Sequence, residues 1–194
     1  MLGELEDAIL ARIRLFNEQP GAPYRLRTIE SYGGQLDEDT QETYQSPAIF
    51  VVLAGMQTLA RVSERTSRDK LDVDIYCVAY NNRNERSRRQ GDKTEVGSYQ
   101  LAEDVRALLE NQKLGQPIKP LRFSSLRPEF VARKQDGQQA RSILRLSFST
   151  EVVIEAALPD CIHPTPDMLA GISSGFYVRP GGEVPFAQTQ VDLT

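Results

Sequence analysis

Histidine occurs once in these 194 residues and cysteine twice, and no apolar stretch is long enough to span a bilayer, which takes about 20 residues. His163 lies in a proline-containing segment with no nearby serine nucleophile and no flanking carboxylates, so it reads as a surface-loop residue rather than a catalytic base. Cys77, in an apolar strand, and Cys161, in a proline-containing tail, make no disulfide framework and read as free thiols in a reducing compartment. No zinc-ligand spacing exists, "RRQGDKT" lacks the Walker spacing, and Gly181-Gly182 opens no helix, so phosphate-loop and zinc chemistry are both without support. An excess of basic charge is missing too. The formal charge of −4 and pI near 5.2 speak against a dedicated nucleic-acid binder, whose surface must replace the counterions on phosphate. The opening "MLGELEDAILARIRLF" mixes acids and bases at every turn; it is expected to be neither a secretory signal nor a membrane span, leaving the chain in the cytoplasm.

What is present is an ordinary globular composition, 40% apolar and 26% charged, enough for one substantial core. Leu5, Ile9, Ile13 and Phe16 recur at helical spacing and predict an amphipathic helix over 3–18, stopped by "EQPGAP". "YRLRTIESYGG" reads as a first strand. The run "AIFVVLAGMQTLARV" reads as a buried central strand. "KLDVDIYCVAY" alternates, with Leu71, Val73, Ile75, Cys77 and Ala79 on one face and Asp72, Asp74, Tyr76, Val78 and Tyr80 on the other, so the two runs suggest an antiparallel pair. Asp92 and Glu95 are spaced like a capping box ahead of the stripe Val96, Leu101, Val105, Leu108 and Leu109, and Gly115 is placed to end that helix. Asp136-Gly137 between two strand-like runs is a hairpin signal. From about residue 158 the periodicity dissolves into an arm rich in proline and glycine, either frayed or laid across a neighbouring subunit.

The chemistry-bearing candidates are few. Asp72 and Asp74 point to one side of a strand and could share a divalent cation, but further oxygen ligands are not identifiable, and the plainer reading is a solvent-side or interface-side pair. Between the alternating strand and the next helix stand Arg83, Arg86, Arg88, Arg89 and Lys93 against only Glu85 and Asp92. A solvated loop is the ordinary reading of such a run. The acidic stretch Asp37, Glu38, Asp39 and Glu42, also following a strand, offers the opposite sign, and a head-to-tail ring would bring unlike patches of neighbouring copies together. A third reading has the arginines contacting DNA.

"ESYGGQLDED", "NNRNERSRRQGDKTEVGSYQLAEDVRALLENQKLGQPIKPL", "LEDAILARI" and, more loosely, "SILRLSFST" resemble a family of Mu-like phage and prophage proteins of the tail-assembly region, over roughly residues 3–155. The resemblance implies a tail terminator: a hexameric ring that caps the tail tube and joins the tail to the head or neck. It implies an α+β fold, a mixed and mostly antiparallel sheet with two main helices packed on it, in residues 1–157; the proline-rich extension 158–194, which reads as an extended arm, departs from the family's pattern. Expected partners are further copies of the chain, the tail tube protein and head or neck connector proteins, with a tail sheath as another candidate and no membrane. The expected location is the virion tail or neck, and the host cytoplasm during assembly. No catalytic residue, metal site or cofactor is expected, and no enzyme activity. The alternative is a neck or head-tail connector protein that contacts DNA through the arginine-rich loop, a role secondary to protein contact.

Overall fold

The computed structural model describes residues 2–36, 44–80, 85–91, 95–129, 141–155, 171–176 and 187–192. Helix α1 (Leu2–Glu18) turns Leu5, Ile9, Leu10 and Ile13 into the core. Its last turn is tied to the returning chain by Asn17, whose side chain accepts from Leu26 N (2.7 Å) and donates to Leu26 O (3.2 Å). Phe16 meets Tyr24 edge-on, with centroids 6.1 Å apart. A short strand, β1 (Thr28–Ser31), follows and lies parallel to β2 (Ala48–Arg61). The remaining pairings are antiparallel: β2 with β3 (Thr66–Tyr80), β3 with β5 (Arg141–Glu155), and β5 with β4 (Arg122–Glu129). The sheet order is β1-β2-β3-β5-β4. The expected α+β class with a mixed, mostly antiparallel sheet is what the chain adopts.

α1 and α3 (Ser98–Leu109) cover the same face of this sheet. The period-two alternation of β3 decides that face, sending Leu71, Val73, Ile75, Cys77 and Ala79 under the helices, where Leu101, Val105 and Leu109 of α3 meet them. Phe148 of β5 is buried there against Phe123 of β4, centroids 5.8 Å apart. Burying each such side chain contributes about 1.5–3 kcal/mol. The opposite face carries a smaller cluster of Leu36, Ala48, Phe50, Val78 and Ile143, with Tyr32, Tyr44 and Tyr76 packed around it.

Four expectations need correction. β2 is not a buried central strand along its length: Ala48–Val51 are buried, but residues 54–59 are exposed, Met56 by 53% and Leu59 by 45%. The cause is dimensional. Twelve residues of α3 span about 18 Å and seventeen of α1 about 25 Å, whereas fifteen strand residues span about 50 Å, so β2, β3 and β5 outrun the helix layer. Second, α3 is not opened by a capping box; it begins at Ser98 behind Gly97, which makes no side-chain cap bond, and Asp92 lies outside the described residues. Third, Gly115 does not end α3. The helix stops at Leu109, Asn111 takes the left-handed conformation (φ 63°), and Gly115 (φ 73°) serves the following turn. Fourth, the arginine segment is not all loop, because Glu85–Gln90 form a short helix, α2.

The Asp136-Gly137 turn lies outside the described residues, although the strands flanking it pair as that signal requires. Residues 156–194 form a second unit. In it β6 (Gly171–Phe176) and β7 (Ala187–Asp192) pair antiparallel, regular structure that the lack of periodicity did not announce.

Candidate functional site

α2 is too short to be stable alone, since a helix this size has barely paid its nucleation cost. Backbone contact holds it. Gly91 (φ 77°) and Gly97 meet face to face: a Cβ on Gly91 would stand 2.7 Å from Gly97 N and 2.8 Å from Glu95 O. A Cβ on Gly97 would fall well inside contact with Gly91 N and Arg89 O. Only glycine permits this approach, and it staples the end of α2 onto the start of α3. α2 also touches β3 and β5. At the junction of α3 and β5, Ser98 and Ser142 hydroxyls hydrogen-bond at 2.8 Å, with Ser98 fully buried.

Of the five basic candidates, two have side chains among the described residues. Arg86 is exposed and its Nε donates to Gln90 Oε1 at 3.0 Å, one helical turn on. Arg89 is half-buried. Together with Gln90 and Tyr99 they line an open depression of about 390 Å³. Arg83, Lys93 and the side chain of Arg88 lie outside the described residues, as do Asp37, Glu38, Asp39 and Glu42.

The two ends of the acidic segment are nevertheless fixed. Leu36, before it, is buried in the smaller cluster. Tyr44, after it, stacks edge-on against Phe50 (5.1 Å) and accepts a 2.6 Å hydrogen bond from Arg141 Nη1, the guanidinium lying 5.6 Å from the ring centroid. Burial, aided by neighbouring Tyr32, pushes the Tyr44 phenol up to about 12, and burial lowers the Arg141 guanidinium from its ordinary value. Arg141 pairs with Tyr80 in the β3–β5 register, and Tyr80 is the residue from which the chain leaves toward α2. Both charged segments are therefore anchored at one end of the sheet, the basic one on the helix side and the acidic one on the other.

Asp72 and Asp74 do not cooperate. Asp72 sits 2.8 Å from Lys70 Nζ, while Asp74 accepts from Ser147 Oγ at 2.6 Å and faces Arg145 Nη1 at 3.8 Å. Among the described residues no group of three or more His, Cys, Asp or Glu side chains could hold a metal ion. Cys77 is fully buried beneath α3, and burial, with Asp104 nearby, raises its thiol far above the ordinary range. The same Asp104 accepts the Tyr24 hydroxyl at 2.7 Å, tying the segment after α1 to α3. His163 and Cys161 lie outside the described residues, and no helix among them is long and apolar enough to cross a membrane.

Sequence reasoning missed Gly91 and Gly97 as fasteners and Tyr44 and Arg141 as anchors. A glycine on each side of a short charged stretch was the available signal for a close backbone approach.

The family model described as Bacteriophage Mu, Gp37 matches residues 1–153. The chain belongs to the Bacteriophage Mu Gp37 family. Membership makes it a phage protein and implies a structural, tail-related role rather than an enzymatic one. No curated protein matches the chain. The matched span takes in both sheet faces and both charged segments of this Gp37-family chain, and stops short of the second unit.

Proposed function

We propose that this phage structural protein is a tail terminator, a hexameric ring that caps the tail tube and joins the finished tail to the head or neck. Further copies of the chain, the tail tube protein and a connector protein are its partners. Its place is the virion tail or neck, reached from the host cytoplasm.

One observation carries this reading: oppositely charged segments are anchored at the same end of the sheet on opposite faces. A contact between unlike patches is heterologous, and heterologous contacts close into rings when the rotation fits. Copies set side by side in such a ring bring α2 of one toward the segment of Asp37, Glu38, Asp39 and Glu42 of the next. Charge then sets orientation and rejects wrong partners more than it adds affinity. The stapled α2 suits this role, since its backbone is already held when the neighbour arrives.

The test is the mass and the electron-microscope image of the purified full chain across concentrations, with and without Arg86→Glu and Arg89→Glu together. Six-fold rings lost in the double variant, with an unchanged circular dichroism spectrum, support the reading. Rings that form unimpaired remove α2 from the contact. A chain that stays monomeric at every concentration and instead binds duplex DNA with a steep salt dependence would favour the connector alternative.

A further inference from the structure

We propose that neighbouring copies join by strand addition, with β4 of one copy pairing antiparallel to the open edge of β2 in the next. The inference rests on the ring reading and names the contact that builds it.

β1 covers the outer edge of β2 only as far as Val51, where Tyr32 N donates to Val51 O (2.8 Å). From Leu53 to Arg61 no described residue pairs with that edge, although β2 continues its ladder with β3 on the inner side. An open edge presents a row of N–H and C=O groups that another strand satisfies best. The edge strand on the other side of this sheet, β4, is studded with charge, in Arg122, Arg127 and Glu129. Leu53–Ala60 (LAGMQTLA) contains no ionisable residue, holds no proline, and exposes Met56 and Leu59. It lacks the charges and proline that usually guard an edge, keeping only bulges opposite β3 at Leu53/Gly55 and Thr58/Ala60.

Two features choose β4 as the occupant. The first is direction. β2, β3, β5 and β4 alternate in direction, so the two outer strands run oppositely. A copy related by rotation about an axis inclined modestly to the strands therefore offers β4 antiparallel to β2, with its helices on the same side. The second is sign. On the face away from the helices, Gly55 leaves bare space beside its register partner Asp72. The same face of β4 carries Arg122, held by Asn111 Oδ1 (2.6 Å), Glu129, paired with Arg145 (3.5 Å), and the exposed Arg127. A strand laid on β2 sets Arg127 over the gap at Gly55, within reach of Asp72. Within one copy β4 lies level with Ala48–Gly55, so the neighbour is displaced along the strands, the stagger that strand tilt gives a closed ring.

The experiment is amide hydrogen exchange of the full chain, assembled and dilute, alongside the variants Gln57→Pro and Met56→Lys. Exchange in 53–61 and in 122–129 is expected to slow together on assembly, by about tenfold or more. Both variants are expected to lose rings, and Met56→Lys, an exposed substitution, keeps the monomer's spectrum should Gln57→Pro fail to fold. Rings in which 122–129 exchanges as in the dilute chain overturn strand addition and leave the ring reading standing. Protection of 53–61 alone in a particle of dimer mass overturns it in favour of two β2 edges paired about a two-fold axis. A chain that never assembles overturns both.

Discussion

Gly97→Ala is the sharpest probe of how α2 is held. The added methyl would fall on Gly91 N and Arg89 O and within 2.5 Å of Gln90 C, all backbone atoms with no flexible end to swing aside. Overpacking of this kind costs about 1–3 kcal/mol when the structure must absorb it. A chain takes the cheapest route to relief. α2 has six residues and no described side chain in the main cluster, whereas α3 buries Leu101, Val105 and Leu109 against the sheet. Lifting α2 away exposes little apolar surface, so the helix peels off before the core yields.

The expected outcome is thus a split. Global stability, read from a urea melt, falls by less than about 1 kcal/mol, as for surface changes that leave the core intact. Exchange protection of the 86–91 amides disappears and ring assembly fails. Gly91→Ala follows the same course with an added cost of about 1–2 kcal/mol, since residue 91 sits at φ 77°. A global loss near 3 kcal/mol with 86–91 still protected would refute the reasoning, because α2 would then belong to the folding unit and not to a stapled appendage. Normal rings in a chain whose α2 amides exchange freely would refute the link from α2 to assembly.

Two further expectations rest on buried groups. In a Cys161→Ser background the Cys77 thiol, fully buried and with its ionisation suppressed, should react with a chromogenic disulfide only as fast as the chain unfolds; fast labelling under native conditions would contradict the packing of α3. For Tyr44 the sign is that of a raised phenol, whose protonated form the fold prefers. Its contribution is complete below pH 10, the unfolded value, and disappears as pH climbs from 10 toward about 12, so Tyr44→Phe should flatten the loss of stability in that window of an alkaline titration.

The parts of this fold legible in the sequence are those governed by a local period under a single cover. Leu71 through Ala79 alternate because one face of β3 lies under helices, and Leu5, Ile9 and Ile13 line up because α1 has one buried stripe. The failures come where tertiary geometry overrides composition. "AIFVVLAGMQTLARV" is apolar throughout, yet only its first third lies deep, because burial there depends on how far the helices reach. The start of α3 was misplaced because Gly97 is chosen by contact with Gly91, a residue brought near only by folding. The charged candidates could be listed from sequence, but that both segments anchor at one end of the sheet depends on Arg141 and Tyr80 being register partners, more than sixty residues apart.

Two kinds of surface result, at opposite ends of the same strands. Where β3 ends and β5 begins, charge is concentrated in segments anchored by glycine contacts on one face and by the Arg141–Tyr44 pair on the other. Toward the β2–β3 turn, Leu53–Ala60 carries no ionisable side chain, and its outer edge is backbone that no described residue pairs. Charges act across a Debye length of about 8 Å and so orient copies before contact, but they are screened and add little once contact is made. Backbone pairing acts only at hydrogen-bond distance, has no reach, and fixes register once strands meet. A ring that must close at a set number of copies needs both properties, one to reject misoriented arrivals and one to set the angle between neighbours. In the proposed ring, placing them at separate ends would let a neighbour be steered at one end and locked at the other, with the sheet carrying the alignment between them.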